Sequence, residues 1–478
     1  MASGPQYNVL LIISEDNGQH LGCYGDPFVQ TPNLDKFASE GVLFDNMHTT
    51  QAVCSPGRAS ILTGLYPHQN GQFGLATHKY ALYDDFPNMQ RLLKDEGYRT
   101  GLIGKLHINP EDAFPFDLWW NPKEFISFAN RDVRKMAEVA GDFMEDSDEP
   151  FFLQISFPDA HLPLHRQQFG LPAQPLEGKD VETLPQVGID GPRLREETAD
   201  YYNCMSRLDT GVGLVLERLE AMGKADQTLV IFTTDHGAQF SRGKTSIYEG
   251  GLRIPLIVRC PGLSLAGHVC EELMSQVDIL PTVTEVLGIN SPAGLVGESF
   301  VSLLKGEDRA WRTHLFAEWT SGSVDTYFPQ RSVRDERYKL IVNLLRDRPS
   351  PSALGYKSPG RKWKPGATEE EIAAADEHIR VAYGLYENPP AFELYDLQKD
   401  PWEFENLAGN RAYAAVLQCL KNQLVVWQEE TNDALRHPEN LECLTKKHDD
   451  LVEEFYQHSR MGGSRAFEWE YTEYMHEP

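Results

Sequence analysis

Acidic residues and a histidine follow two apolar, β-rich segments of the chain, at the points where these segments end. Glu15 and Asp16 come directly after the first apolar segment, and Asp235 and His236 follow a later one. If both segments are parallel strands, their carboxyl ends meet at one edge of a sheet, where ligands of open α/β sheets bind. Carboxylate oxygens are preferred ligands of hard cations such as Ca²⁺ and Mg²⁺. The pattern therefore predicts a divalent-metal site, although each pair alone is also typical of a helix cap or a turn.

Two further apolar segments are followed by groups that carry charge or transfer protons. Lys105 and His107 follow the segment 101–103, and His161 follows the segment 151–157. A single lysine or histidine is usually a solvated surface residue. Four strand ends that deliver such groups to the same edge instead indicate a site that binds an anion and exchanges protons with it.

A small nucleophile stands at the start of a predicted helix. The segment 54–64 reads CSPGRASILTG, so Cys54 begins the helix and Arg58 lies one turn later. The free N–H groups and the dipole of a helix N-terminus favour an anion there. A thiolate nucleophile and a buried, inert cysteine are two further interpretations of Cys54.

The order of the apolar segments predicts an α/β fold. Short β-rich segments alternate with helical patterns over the first 325 residues, which is typical of a parallel sheet. The segments are 9–13, 101–103, 151–157, 229–233 and 255–258, and the helices are 31–41, 87–96 and 193–222. After residue 325 a hairpin over 330–345, a strand over 392–397 and a helix over 412–429 indicate a smaller domain, 326–478. No role is predicted for its acidic, aromatic tail.

The composition excludes several classes of partner. The 478 residues include 44 Lys and Arg against 71 Asp and Glu, a net charge of −27. Nucleic-acid binding and polybasic membrane binding both need an excess of cations, so neither is expected. No apolar run approaches the roughly 18 to 20 residues that cross a bilayer. Seven cysteines without a CxxC pair favour a reducing compartment. The sequence as it stands thus predicts a cytoplasmic protein, or an exported one if its N-terminus has been trimmed.

The segment that begins at Cys54 matches the C-x-P-x-R signature of the sulfatases, followed by L-T-G. Its fourth position is Gly57, where many sulfatases have serine. The resemblance extends over nearly the whole chain, through the segments 244–255 and 393–407. Within the family, the segments 66–71, 101–107, 114–117, 209–216 and 331–333 resemble the sulfamidase branch, the N-sulfoglucosamine sulfohydrolases. The resemblance implies an alkaline-phosphatase-like fold, in which helices sandwich a large, mostly parallel sheet and the smaller C-terminal α+β domain contains an antiparallel sheet.

The resemblance also implies a role for each matching residue. Cys54 would be oxidised by a formylglycine-generating enzyme, and the hydrated aldehyde would attack sulfur and later release sulfate. The implied metal ligands, usually of Ca²⁺, are Glu15, Asp16, Asp235, His236 and residue 54 itself. Arg58, Lys105 and Lys244 would hold the nucleophile and the sulfate, His107 would lie beside the diol, and His161 would protonate the leaving group. His68 and His78, near the signature, are candidates for the pocket rim, and the sulfamidase branch implies a homodimer.

Three residues depart from the sulfamidase pattern. Glu15 stands where most sulfatases have Asp, His236 replaces Asn, and Lys244 replaces Arg. The imidazole leaves Mn²⁺, Zn²⁺ and Mg²⁺ open beside Ca²⁺. The predicted substrate is a sulfated sugar such as N-sulfoglucosamine. The alternatives are an O-sulfated sugar, an aryl sulfate, a phosphonate monoester or phosphodiester, and a protein that binds sulfated glycans without turnover. The basic segment 357–364 is either a substrate-facing or a solvated loop.

Overall fold

The computed structural model describes residues 7–127, 129–357 and 365–460, with side chains described as far as residue 454. Twelve strands lie in these ranges: β1 (Asn8–Ser14), β2 (Val42–His48), β3 (Arg99–Ile103), β4 (Leu118–Trp120), β5 (Phe151–Phe157), β6 (Thr228–Thr234), β7 (Arg253–Arg259), β8 (His268–Ser275), β9 (Leu315–Trp319), β10 (Gln330–Arg334), β11 (Tyr338–Asn343) and β12 (Phe392–Asp396). They form two separate sheets of eight and four strands.

Fourteen α-helices lie in the same ranges: α1 (Pro32–Glu40), α2 (Cys54–Thr63), α3 (Pro67–Asn70), α4 (Met89–Asp95), α5 (Val133–Glu145), α6 (Pro192–Ala221), α7 (Glu249–Leu252), α8 (Ile279–Leu287), α9 (Val301–Leu304), α10 (Pro351–Lys357), α11 (Glu369–Ala374), α12 (Glu377–Glu387), α13 (Ala414–Glu430) and α14 (Pro438–Arg460). Within the described ranges, none of these helices is long and apolar enough to span a membrane.

The large sheet has the order β4-β3-β5-β1-β6-β7-β2-β8. Its left part, from β4 to β6, is entirely parallel, while β7 runs antiparallel to both β6 and β2. The predicted α/β fold with a mostly parallel sheet is thus confirmed. All five predicted strands and the helices α1, α4 and α6 are present, with ends that differ from the prediction by no more than two residues.

Helices cover both faces of this sheet, because alternate residues of its central strand enter two different cores. Leu10 and Ile12 of β1 pack with α1, α5 and α6 on one face. Val9 and Leu11 pack with α2, α4 and α8 on the other. A strand buried on both faces reads as a continuous apolar run, and this is the pattern that the sequence shows at 9–13. The sandwich of helices around the sheet is therefore confirmed.

The second sheet is antiparallel, with the order β12-β11-β10-β9. The predicted hairpin is β10 and β11, and the predicted closing helix is α13, which packs on the sheet through Leu420, Leu424 and Trp427. The sheet begins with β9, which precedes the predicted division after residue 325, and that division stays a prediction. Helix α14 lies in the acidic tail and contacts the 3₁₀ turn Val324–Thr326 through Leu451. Of the basic segment, residues 358–364 lie outside the described residues, as does the tail beyond residue 460.

Candidate active site

Four adjacent parallel strands deliver the predicted site residues to one edge of the large sheet. In the sheet these strands lie in the order β3, β5, β1, β6. Lys105 and His107 follow β3, and His161 follows β5. Glu15 and Asp16 follow β1, and Asp235 and His236 follow β6. This is the edge at which parallel α/β sheets bind ligands. The main chain is tightly constrained there: Asp16 and His107 have left-handed backbone angles, φ 54° and 64°. Non-glycine residues rarely adopt this conformation, and such strain concentrates at functional sites.

Cys54 is the first residue of α2 and lies at the centre of the site. Its side chain is only 1% exposed. The Sγ atom lies 3.4 Å from His236 Nε2 and 3.5 Å from Lys244 Nζ. A group at position 54 therefore sits on a helix N-terminus and between two nitrogens that can carry positive charge, which is an environment suited to a nucleophile that must bind an anion.

Arg58, one turn into α2, is fully buried and contacts residues at all four strand ends. Its Nε donates to Asp235 Oδ2 at 3.1 Å, and its Nη1 donates to the main-chain oxygen of Lys105 at 2.9 Å and to Ser156 Oγ at 3.0 Å. A third nitrogen, Nη2, lies 3.4 Å from Glu15 Oε1. Because its nitrogens are all directed at protein oxygens, Arg58 fixes the relative positions of these strand ends and supplies positive charge to the site.

Gly57 allows α2 to approach the end of β6. A Cβ atom at this position would lie less than 3.0 Å from the main-chain oxygen of Asp235 and 3.1 Å from Thr49 Oγ1. The first neighbour is backbone, which cannot turn aside as a flexible side chain does. The glycine at the fourth position of the signature is thus a packing requirement of this chain.

Four side chains of the site form a candidate metal centre. One ligand atom from each of Asp16, Cys54, Asp235 and His236 lies within 4.8 Å of the other three, and all four residues are buried. His236 Nε2 is 3.2 Å from Asp16 Oδ1, and Lys244 Nζ donates to both oxygens of Asp16 at 2.9 Å. Two carboxylates and an imidazole within this radius fit a divalent cation.

The pKa shifts of His236 and Asp16 show that this group of side chains favours positive charge. Burial lowers the pKa of His236, but Asp235 and Asp16 outweigh burial and raise the pKa to about 10. Burial likewise raises the pKa of Asp16, yet Lys244 and the histidines hold it well below its ordinary value. Asp16 therefore remains charged, and the raised pKa of His236 favours a proton on its imidazole. A bound divalent cation would take over that role and release the proton of His236.

Glu15 lies outside the four-residue group. Its carboxylate contacts Lys105 Nζ through Oε1, the same oxygen that faces Arg58. Burial raises the pKa of Glu15, but Lys105 and Arg58 outweigh burial and lower it to about 2. The longer side chain of glutamate thus reaches two cations, Lys105 and Arg58.

His161 and His78 line a pocket of about 230 Å³ beside Lys244. His161 Nδ1 lies 2.7 Å from the main-chain oxygen of Leu162, which fixes the ring. Burial lowers the pKa of His161, although Asp16 opposes this effect. His107 is more strongly affected, since burial and then Lys105 and Arg58 hold its pKa well below the ordinary value. Its Nε2 lies 3.5 Å from Thr77 Oγ1, and its Nδ1 is buried without a hydrogen-bond partner.

His68 is placed elsewhere, in a buried hydrogen bond with a residue of the second sheet. Its Nδ1 lies 2.7 Å from Glu318 Oε2, and its ring stacks on Tyr66 and meets the edge of Trp427. It does not line the pocket. Gln239, Ser323 and Thr326 do line the pocket and were not singled out in the sequence. Gln239 lies three residues after His236, so proximity to that motif is a signal for it, whereas the other two lie on a loop after β9 that carries no motif.

Two family models together match residues 7–348, and curated proteins match about nine-tenths of the chain. The sulfatase model matches residues 7–289. The model of the N-sulphoglucosamine sulphohydrolase C-terminal region matches residues 237–348. N-sulphoglucosamine sulphohydrolase from Homo sapiens is 33% identical over 461 residues, which cover 89% of this chain and 90% of the human protein. An ulvan-active sulfatase from Formosa agariphila is 29% identical and covers 90% of this chain and 81% of its own length.

Solved structures with lower sequence identity share the fold. The structure of BT4656 in complex with its substrate D-glucosamine-2-N,6-O-disulfate has a TM-score of 0.64 at 20% identity, over 90% of this chain and 98% of that chain. The phosphonate monoester hydrolase of Agrobacterium radiobacter has a TM-score of 0.65 at 22% identity, over 89% and 96% of the two chains. Since the sulfatase model covers more than half of the sequence and the human relative aligns over nine-tenths of it, the chain belongs to the sulfatase family, a family of hydrolases in the alkaline phosphatase superfamily.

Proposed function

We propose that this sulfatase hydrolyses the N–S bond of a sulfamate sugar, N-sulfoglucosamine, with residue 54 as the nucleophile after its conversion to formylglycine. The observation that carries the proposal is the position of Cys54. A buried thiol at a helix N-terminus, with His236 and Lys244 within 3.5 Å, has the surroundings that a sulfate-binding nucleophile needs.

The choice of substrate rests on sequence similarity. The human relative, which is 33% identical, is an N-sulphoglucosamine sulphohydrolase, and the C-terminal model that matches residues 237–348 belongs to the same enzyme. This supports the sulfamidase branch over other sulfatases. The departures at Glu15, His236 and Lys244 lie in the charged group around residue 54, where the sulfate binds, so they do not by themselves argue for a different sugar.

Formylglycine at residue 54 would supply a hydrated aldehyde, which provides both a nucleophilic oxygen and a second hydroxyl for the release of sulfate. Asp16, Asp235, His236 and residue 54 would hold a divalent cation, with Ca²⁺ the first candidate, and the cation would neutralise the charge of the sulfate oxygens. Glu15 is proposed as a further ligand that exchanges its contact with Lys105 for the cation.

The protein's own side chains carry the remaining steps. Lys244 and Lys105 hold the sulfate oxygens, since both ammonium groups lie beside the carboxylates of the site and keep their charge. Burial lowers the pKa of Lys244, but Asp16 and Cys54 outweigh burial and raise it. Arg58 keeps α2 in place against β6. His161 faces the pocket, where Asp16 favours its protonated form against the effect of burial, and this protonated imidazole donates a proton to the leaving amine. The neutral His107 accepts a proton from the group at residue 54.

The proposal is tested by measuring sulfate release from N-sulfoglucosamine and from glucosamine 6-sulfate at equal concentration. Mass spectrometry of the peptide that contains residue 54 first establishes the fraction of formylglycine. We expect preferential cleavage of the N-sulfated sugar. Cleavage of the O-sulfate alone would assign the protein to the O-sulfatases, and binding of both sugars without turnover would make it a sulfated-glycan binding protein.

A second candidate, a phosphonate monoester or phosphodiester hydrolase, is favoured by one residue. His236 places an imidazole in the candidate metal centre where the sulfamidase pattern has asparagine. 4-Nitrophenyl phenylphosphonate and bis-4-nitrophenyl phosphate, assayed beside 4-nitrophenyl sulfate, separate the two activities. A higher kcat/KM for either phosphorus ester would favour this second candidate.

A further inference from the structure

Two buried arginines contact the loop that carries His161. Arg131 precedes α5 and Arg207 lies within α6, and their side chains are 1% and 0% exposed. Neither belongs to the charged group around Cys54. Both helices pack against the same face of the large sheet, and α5 also contacts β5, the strand that precedes this loop.

The arginines contact the loop both before and after His161. Arg131 Nη1 donates to the main-chain oxygen of Asp159 at 2.7 Å. Arg207 Nε donates to Asp159 Oδ1 at 2.6 Å, and its Nη1 donates to the main-chain oxygen of His165 at 3.0 Å. The loop is thereby held two residues before and four residues after the imidazole, by charge-assisted hydrogen bonds to its backbone.

This arrangement is costly for stability alone. Two guanidinium groups are buried against one carboxylate, and Arg131 Nε and Nη2, Arg207 Nη2 and Asp159 Oδ2 have no hydrogen-bond partner. Burial raises the pKa of Asp159 and lowers that of Arg131, which reflects the same penalty. Apolar side chains of similar volume would often stabilise a fold at least as well as buried ions. Beyond packing, the planar guanidinium groups fix the orientation of the main-chain oxygens to which they donate hydrogen bonds.

We propose that Arg131 and Arg207 are positioning residues that hold the 159–165 loop so that His161 reaches the leaving group. The inference rests on the proposed function, in which His161 protonates the amine that departs from sulfur. A general acid has to lie within about 2.6–3.2 Å of the atom that it protonates. A displacement of the loop by about 1 Å removes this reach while the nucleophile and the sulfate contacts stay in place.

The consequence is a dependence on the leaving group. An amine or alkyl alcohol leaves slowly unless it is protonated, whereas 4-nitrophenolate leaves without help. A loosened loop should therefore slow N-sulfoglucosamine hydrolysis and affect 4-nitrophenyl sulfate much less. A general collapse of the active site would slow both substrates equally.

The experiment compares kcat for these two substrates in wild-type protein, Arg207→Lys and Arg131→Lys, each with its formylglycine content measured. We expect kcat for N-sulfoglucosamine to fall about tenfold more than kcat for 4-nitrophenyl sulfate, with KM for the sugar changed less than kcat, because general-acid catalysis contributes about 10²–10⁴-fold. Asp159→Asn, which keeps the volume and removes the charge that Arg207 binds, gives the same comparison if an arginine variant fails to fold.

Arg259→Lys is the matched control. Arg259 is also a buried arginine with unpartnered nitrogens, and it pairs with Glu40 at 2.7 Å, but it lies at the opposite edge of the sheet, beside the start of β6. Its replacement should lower the melting temperature without changing the ratio of the two rates. In a His161→Ala background, Arg207→Lys should leave that ratio unchanged, since residues that act through one another are non-additive.

Equal losses on both substrates, or an additive loss in the His161→Ala background, would overturn the inference. An equal loss of kcat on both substrates in His161→Ala itself would also overturn the inference. Wild-type protein that releases sulfate from neither substrate would overturn the proposed function, and this inference would fall with it. Wild-type turnover with unchanged ratios in the variants refutes only the positioning role.

Discussion

The replacement of Gly57 by alanine tests whether the approach of α2 to β6 sets the geometry of the site. The new Cβ would lie less than 3.0 Å from the main-chain oxygen of Asp235, whereas ordinary contact begins at 3.4 Å. Either α2 or the end of β6 has to move by about 0.5–1 Å to relieve this overlap. Both carry reactive groups: Cys54 stands three residues before Gly57, and Asp235 binds Arg58.

The expected magnitude follows from this displacement. Overpacking of a buried contact costs about 1–3 kcal/mol of unfolding free energy. A 1 Å misplacement of reacting groups lowers the rate about 10²-fold, which is the larger effect on function. We therefore expect Gly57→Ala to fold, with a melting temperature a few degrees lower, and to retain about 1% of the wild-type kcat.

The assay is sulfate release from N-sulfoglucosamine, together with calorimetry and mass spectrometry of residue 54. The mass measurement is needed because Gly57 lies within the signature, so a variant that is not matured would lose activity for another reason. Gly384→Ala is the matched control. Gly384 lies in α12, and a Cβ there meets no atom within 4 Å. An alanine in that helix should stabilise the protein by about 0.5–1 kcal/mol and leave turnover unchanged.

Wild-type kcat in fully matured Gly57→Ala would refute this reasoning. It would mean that α2 and β6 separate without moving the reactive groups, so that the close approach of Gly57 to Asp235 is a matter of packing alone.

Three other changes have defined outcomes. Cys54→Ala should abolish sulfate release with an unchanged melting temperature, because residue 54 begins its helix and a small side chain there costs little packing; residual turnover above 1% would contradict the role of this residue. Dialysis against a chelator should abolish turnover, and Ca²⁺ should restore it. His236→Asn should change which of Ca²⁺, Mn²⁺ and Zn²⁺ restores turnover best. Full activity of protein that elemental analysis shows to be metal-free would exclude the metal centre. Burial lowers the pKa of His448 from 6.5 to about 4. Between pH 6.5 and pH 4 the unfolded chain therefore binds a proton that the folded protein does not bind. The unfolding free energy should fall by about 3 kcal/mol as the pH drops over this range. His448→Phe should weaken this dependence in calorimetric pH series, and parallel profiles of variant and wild type would show that the stability comes from other groups.

Much of the site could be predicted because the polar residues follow buried strands. A strand covered on both faces reads as a continuous apolar run, so its end is visible in the sequence, and the residues after it must lie at one edge of the sheet. Asp16, His161 and Asp235 were found in this way. Cys54 and Arg58 were found differently, since the segment that contains them carries the family signature.

The rest of the site depends on contacts between distant segments, which a local pattern does not contain. Nothing near Glu15 in the sequence indicates that it turns toward Lys105. His68 lies next to the signature, yet Glu318, which is 250 residues away, determines where its ring points. The loop with Ser323 and Thr326 reaches the pocket only because the second sheet packs against the first.

The burial of Cys54 sets a limit on when its chemistry can be prepared. Cys54 is 1% exposed and contacts Lys244, which lines a pocket whose wall includes Gly322 and Ser323. If residue 54 is oxidised to formylglycine, as proposed, another enzyme can reach the thiol only before that wall closes. The wall is made about 270 residues after Cys54, which at ribosomal rates of about 5–20 residues per second leaves roughly 15–55 s. Under the proposed function, maturation and folding of this protein would thus compete, and a faster-folding variant would be expected to carry less of the modified residue.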